Sequence, residues 1–434
     1  MTSNIADLDT GTGYGRPKPQ HDANLTEVGP GTPMGEVLRR YWHPIAASDA
    51  LKSDIPHRAK VLGEDLVVFR DGQGRPGVVF ERCAHRGSSL FFGRVEDDGI
   101  RCCYHGWKFD VQGHCLAQEL EPGQGRRRDV VRQPWYPVEE RYGLVFVYMG
   151  PPDKKPTLPR YDCLETLEEG EQYFASIPFP GLEVVGLTQN YNWLQSYENG
   201  LDPVHAQWLH SNHSGYQFDG TGNDGFPESF FDPHTIDVTY IKTEHGGTYH
   251  QKFTKVNEDG VAQDLAWSVE LQIPNVIALP SWMPLTPGAR HDCIIWMVPA
   301  DDTTHRAYIS VRAKSIDRML MILTGIKQNG KLAFELEEKD LQLYPGDGEA
   351  QGSQGPITMH SEETLATTDK GIVMLRRMLR QAVADVAAGR DPQNVTYDPD
   401  AIFHVDAGVH HVDADGTVRS DRAAAPMAGN KTPA

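Results

Sequence analysis

The spacing of apolar and polar positions divides this chain of 434 residues into a strand-rich first part and a mixed remainder. "RAKVLGEDLVVFRDGQGRPGVVFERC" contains two strand-length apolar runs on either side of Asp71-Gly72, a hairpin signal. "YGLVFVYMG" (142–150) is a further strand-like run. Ahead of them, Thr32 suits a helix N-cap and Pro33 the first helical position, which predicts a short amphipathic helix to about Trp42. The Pro-rich "MGPPDKKPTLPR" marks a domain boundary. Beyond it, "CIIWMVP" and "AYISVRA" read as strands and "GIVMLRRMLRQAVADVAAG" as a helix. Ile372, Leu375, Leu379, Ala382, Val383 and Val386 share one face of that helix, and Gly389 stands where a C-cap glycine belongs. The division expected is an N-terminal arm and helix (1–44), a β-rich domain (45–160), a mixed α+β domain (161–400) and a flexible tail (401–434).

Composition narrows the function. Hydrophobic residues make up 39 % and aromatics 9 %, the balance of a water-soluble globular chain. A net charge of −19 opposes binding to a phosphate backbone, so no nucleic-acid partner is expected, and it is compatible with a partner presenting Lys and Arg. There is no apolar run long enough to span a bilayer and no signal-peptide pattern at the start, so a cytoplasmic protein without a membrane partner is expected. Six cysteines in a reducing compartment read as ligands or free thiols rather than disulfides.

Three of those cysteines lie in "CAHRGSSLFFGRVEDDGIRCCYHGW" (83–107) with two histidines. Cys83-x-His85 is one pair, and the second is either Cys102-x2-His105 or Cys103-x-His105. Two thiolates with two imidazoles suit a structural zinc ion or a [2Fe–2S] cluster whose second iron carries two histidines. Cys115, Cys163 and Cys293 stand alone and read as small buried hydrophobes. Further on, "NYNWLQSYENGLDPVHAQWLH" (190–210) spaces Glu198-x3-Asp202-x2-His205-x4-His210; taken alone, two histidines five apart on a helix-like stretch read as one solvated and one packed against the core.

With Arg86-Gly87 after the first pair and Gly106-Trp107 after the second, the pattern Cys-x-His-x16-Cys-x2-His resembles the Rieske iron–sulfur domain. In that resemblance Cys83 and Cys102 hold one iron, His85 and His105 the other, and Cys103 occupies a variable position. The second motif resembles the mononuclear-iron motif of Rieske non-haem iron oxygenases. His205 and His210 would bind Fe(II), Asp202 would bridge to a cluster histidine of a neighbouring subunit, and Glu198 would support the iron from behind. Two imidazoles and one carboxylate on one face of the metal leave sites open for O2 and substrate. "DGEAQGSQGPI" resembles the family segment that supplies the carboxylate, which points to Asp347, with Asp340 and Glu349 as the reserves. His213 and His250 lie outside the motif and read as structural.

The opening segment and the "SQGPI" region resemble the subgroup of phthalate dioxygenases and aromatic O-demethylases. That resemblance implies an α+β fold, with a β-rich Rieske domain and a catalytic domain built on a large antiparallel sheet flanked by helices, in a homotrimer or a multiple of it. It implies a terminal oxygenase that hydroxylates an aromatic substrate with O2 and electrons from a separate reductase or ferredoxin. O-demethylation of a methoxylated aromatic acid is the leading expectation, and ring dihydroxylation of a phthalate-like acid the alternative. A buried Arg would suffice for the carboxylate, but the sequence does not single one out. A lone electron carrier and a zinc-stapled binding module are the competing classes, and a second metal motif in so long a chain weighs against both.

Overall fold

The computed structural model describes residues 13, 15–52, 54–175, 177–179, 182–184, 187–215, 217, 227–232, 234, 236–256, 259–279, 287–317, 327–332 and 335–419. Most of the N-terminal arm up to residue 14 and the end of the chain from 420 lie outside the described residues.

The first domain is three small antiparallel sheets. His57–Val61, Glu64–Arg70, Pro76–Phe80 and Trp135–Tyr136 form one, and Arg94–Glu96, Gly99–Arg101, Lys108–Phe109 and Cys115–Ala117 another. Trp42–Ala47 and Val138–Arg141 flank Leu144–Tyr148 in the third. The hairpin expected at Asp71-Gly72 is present. The buried Asp71 carboxylate accepts from the backbone N–H groups of Gln73 (3.1 Å) and Arg75 (2.9 Å), and the left-handed backbone falls on Gly74 (φ 84°). The helix expected to reach Trp42 is Pro33–Leu38, capped by Thr32. It stops early because Trp42–Ala47 is drawn into the sheet beside Leu144–Tyr148.

The second domain is built on an eleven-stranded sheet whose longest members are Gly246–Val256, Cys293–Asp301 and Thr304–Ala313. The C-terminal helix Lys370–Ala387 packs against it through Leu375, Met378, Leu379 and Ala382, and Gly389 takes φ 75° just beyond its end. The expected flexible tail is corrected over 402–419. Ile402–Phe403 pairs with Arg160–Tyr161, and Gly408–Val412 pairs with Ala262–Ser268 in the large sheet. Val405 and Ala407 bury ahead of that strand and Val409 and His410 within it, so the polar residues interleaved along this segment hid a buried strand.

The two domains are continuous. One apolar core holds Leu66, Val147 and Tyr148 of the first together with Trp193, Trp296 and Leu375 of the second. The Leu62 and Gly63 N–H groups donate to the carbonyls of Pro299 (3.0 Å) and Ala300 (2.8 Å) across the junction. A smaller core, including Phe69, Ile100, Phe109, Cys83 and Cys102, lies under the first metal motif.

Candidate metal centres and the cavity beside the triad

The first motif folds as two matching loops. The Cys83 N–H donates to the Ser88 carbonyl (2.9 Å) and the Gly87 N–H to the Cys83 carbonyl (2.8 Å). In the second loop the Cys102 N–H donates to Trp107 (2.8 Å) and the Gly106 N–H to Cys102 (3.1 Å). Gly87 and Gly106 sit at φ 75° and 73°, a turn that only glycine makes without strain. The repeat identifies Cys102 as the counterpart of Cys83. Both are buried, whereas Cys103 is exposed. Their thiols hydrogen-bond to each other, which holds Cys83 well above its ordinary pKa and lowers Cys102 to about 5. The His85 and His105 rings lie 4.6 Å apart, and His85 stacks on Trp107 at 4.2 Å. His85 Nδ1 is buried with no hydrogen-bond partner. Adjacent sulfurs, adjacent imidazoles and an unpartnered ring nitrogen are the donor set that a [2Fe–2S] cluster with two histidine ligands requires.

The second motif lies on a helix that changes pitch. Asp202 caps Pro203–Gln207 by accepting from the His205 N–H (3.3 Å), with Pro203 at the first helical position. The chain then continues as a π-helix over Trp208–His213. Five residues of α-helix turn through about 500°, so His205 and His210 would point about 140° apart. The wider i→i+5 turn brings both rings to one side, with centroids 5.4 Å apart. His205 Nδ1 hydrogen-bonds the Asp202 carbonyl, and His210 Nδ1 hydrogen-bonds Gln217 Oε1 at 2.6 Å. Each Nδ1 therefore carries the proton, which leaves both Nε2 atoms as ligands.

Asp347 opens the short helix Asp347–Gly352 opposite them, 3.4 Å from His205 Nε2 and 3.2 Å from His210 Nε2. Burial raises the Asp347 carboxyl pKa, but His210 and His205 reverse this and hold it well below the usual carboxylate range. Burial lowers His205, and the hydrogen bond and charge of Asp347 outweigh it, raising the imidazole to about 9. The three ligand atoms lie within 4.8 Å of one another, as the facial triad of a non-haem iron requires.

Beside the triad is a cavity of about 310 Å³. Phe230, Phe231, Tyr249, Trp267, Ile295 and Met297 supply apolar wall, and Gln351 Oε1 accepts from Ser196 (2.7 Å) and Tyr191 (3.1 Å) at a polar corner. No Arg or Lys lines it among the described residues, so the carboxylate-binding Arg is not found there.

Glu198 is not brought to the iron. Asn199, one residue on, faces the triad instead, with Nδ2 3.3 Å from His205 Nε2 and 3.4 Å from Asp347 Oδ1. One helical step turns Glu198 away, where its buried carboxylate pairs with Arg376 (2.5 and 2.7 Å) on the C-terminal helix. The reserves are engaged elsewhere: Asp340 accepts from Lys331 (2.6 Å) and Glu349 from Gln328 (3.0 Å). His213 is exposed, and His250 is half-buried beside His410.

Residues 41–132 match the Rieske [2Fe-2S] domain. The chain is 45 % identical to the phenoxybenzoate dioxygenase subunit alpha of Ectopseudomonas oleovorans, over 93 % of this chain and 94 % of the relative. It is 31 % identical to the 5,5'-dehydrodivanillate O-demethylase oxygenase subunit of a Sphingobium species, over 88 % and 84 %. Its fold matches that of the NdmA QL mutant of Pseudomonas putida CBB5 with caffeine at TM-score 0.57 and 19 % identity, over 86 % of this chain and all of the other. With both donor sets in place and relatives matching along nearly their whole length, the chain belongs to the Rieske non-haem iron oxygenases, as an α subunit that carries a [2Fe–2S] cluster and a mononuclear iron.

Proposed function

We propose that this oxygenase component hydroxylates an aromatic acid at a carbon bonded to an ether oxygen, with O-demethylation of a methoxylated aromatic acid as the leading reading. The cavity carries it: aromatic and aliphatic walls suit a flat aryl body, and they end at the triad. Phenoxybenzoate is an aryl ether, and an O-demethylase cleaves one, so both relatives are named for aryl–oxygen chemistry. Iron held by His205, His210 and Asp347 would supply O2 activation, with two electrons and two protons consumed per turnover. Hydroxylation of a methoxy methyl yields a hemiacetal, which splits into a phenol and formaldehyde while the second oxygen atom leaves as water. The word dioxygenase in the name of the 45 % relative favours a second reading, ring dihydroxylation of an aromatic acid. At a ring carbon bearing an aryloxy group that product is a hemiketal, which expels a phenol.

The chain's own residues divide the work. His205, His210 and Asp347 hold the iron, and Asn199 borders it. Cys83, His85, Cys102 and His105 hold the cluster. Asp202 keeps one carboxylate oxygen on its helix cap, and the other lies 4.0 Å from His205 Nδ1. That half-buried carboxylate would join His205 to a cluster histidine of a neighbouring copy in a homotrimer. Electrons come from a separate reductase or ferredoxin, and the active protein is cytoplasmic.

The test is product analysis during O2 uptake, with a generic reductase and a panel of methoxy-, phenoxy- and phthalate-type acids. Formaldehyde released in step with oxygen on methoxylated acids supports the leading reading. Phenol or cis-diol without formaldehyde replaces it with the second, and uptake on none of them removes both.

A further inference from the structure

Charge is unevenly spread along this chain. Residues 41–160 hold 18 Lys and Arg against 16 Asp and Glu, whereas 161–434 hold 19 against 39. The acidity that suggested a cationic partner belongs to the catalytic domain, not to the cluster domain.

Four of the cluster domain's 18 cations, Arg126, Arg127, Arg128 and Arg132, lie on one loop, 119–133, with Glu119, Glu121 and Asp129. Each end of the loop is tied to a different cluster loop. At its start Glu119 pairs with Arg101 (3.1 Å), whose guanidinium also donates to the Gly106 carbonyl (2.8 Å). At its end Gln133 Oε1 accepts from the Ala84 N–H (2.8 Å), and its amide donates to the carbonyls of Phe80 and Arg82. Between these ties Arg126 and Arg127 are exposed, as are Arg82 and Arg86 beside Cys83 and His85. None of the four forms an ion pair among the described residues, although acids pair with many other arginines of the chain.

We propose that loop 119–133, with Arg82 and Arg86, is the docking surface for an acidic iron–sulfur electron carrier. The proposal rests on the family's need for external electrons and not on the choice of substrate. Unpaired arginines steer an anionic partner and suit a brief encounter, since rim charges raise association rate more than lifetime. The loop offers little to a permanent neighbour. Its exposed apolar residues are Leu120 and Val130, separated by Pro122, Gly123 and the arginines. Of the exposed aromatics, Tyr104 lies under Arg86 and so borders this surface, whereas Phe92 lies under Arg58. In the encounter one electron passes from the reduced carrier to the oxidised cluster, with no bond made or broken and no proton moved.

The test uses the full holoenzyme and an acidic plant-type [2Fe–2S] ferredoxin as the probe. The second-order rate of cluster reduction is followed by stopped flow, and binding of oxidised ferredoxin by titration, for wild type, R126E/R127E and R126K/R127K. Charge reversal is expected to slow reduction about tenfold at low salt, to weaken binding in parallel, and to remove the salt dependence. The lysine variant is expected to retain both, and reduction by dithionite and the cluster spectrum are expected to be unchanged. Equal rates for wild type and R126E/R127E would overturn the proposal. So would a change in oligomeric mass, which would assign the loop to a second copy of the chain. A wild-type protein without a Rieske spectrum would be a different failure, that of the oxygenase reading itself.

Discussion

Replacing Glu198 with Gln separates a structural role from a catalytic one. The Glu198 carboxylate receives two bonds from Arg376, and the same guanidinium binds Glu363 at 2.5 and 2.9 Å. Glu198 and Arg376 are 8 % and 5 % exposed, so the pair is desolvated, yet the fork stays compensated by Glu363 if Glu198 loses its charge. A charge-assisted bond to a buried group contributes about 1.5–3 kcal/mol and a neutral one about 1. E198Q keeps one acceptor and turns an amide N–H toward the guanidinium, so it is expected to cost about 2 kcal/mol. R376M instead leaves Glu198 buried without a counter-charge and is expected to cost about 3–5 kcal/mol. The double variant E198Q/R376M is expected to recover part of that loss, because the buried Glu198 charge is gone and only the more exposed Glu363 then lacks its partner. The assay is urea unfolding of the holoenzyme followed by tryptophan fluorescence, with iron content and turnover per iron measured on the same samples. Full turnover per bound iron with reduced stability is the expected result for E198Q. Lost turnover at unchanged stability would refute the reasoning and return Glu198 to the iron site.

Other expectations concern single groups. Asp347→Ala should lower iron from about three to about two per chain with sulfide unchanged, as read by metal and sulfide analysis. Asp202→Asn should keep both metals and dithionite reduction of the cluster but abolish coupled product formation in single turnover; retained coupling would exclude Asp202 from the electron route. Cys103→Ser should leave the cluster's visible and EPR spectra intact, whereas Cys102→Ser should erase them. Burial lowers His43 to about 4, below its ordinary 6.5, so the unfolded chain takes up the proton first. Its contribution is complete above pH 6.5 and is lost as pH falls toward 4, by about 3 kcal/mol in all. Unfolding titrations at pH 4–7 on wild type and His43→Gln should show that slope only in the wild type.

What the sequence disclosed and what it hid follow one physical rule: residues that meet through a short loop or helix are legible, and those that meet across the fold are not. The two Cys/His pairs each close within one turn, so spacing alone brought them forward, and the resemblance was needed only to choose Cys102 over Cys103. Asp347 needed the resemblance, because 137 positions separate it from His210 and nothing local distinguishes it from Asp340 or Glu349. Gln217 went unnoticed although it fixes the His210 tautomer, since it reaches the ring only after the π-turn reverses the chain. Asn199 was missed for the opposite reason. It adjoins a more conspicuous acid, and the facing of adjacent residues depends on helix phase rather than on residue type. The strand Gly408–Val412 was invisible because its partner, Ala262–Ser268, lies far upstream.

The backbone bonds from Leu62 and Gly63 to Pro299 and Ala300, together with the shared core, bear on how such oxygenases can be recombined. A cluster domain excised at the Pro-rich boundary would expose the apolar flank on which Leu66, Val147 and Tyr148 rest. Grafting this electron-accepting half onto another oxygenase therefore means transplanting the facing strand edge around Pro299 as well, and lineages that exchange donors by domain shuffling would have to move both pieces together.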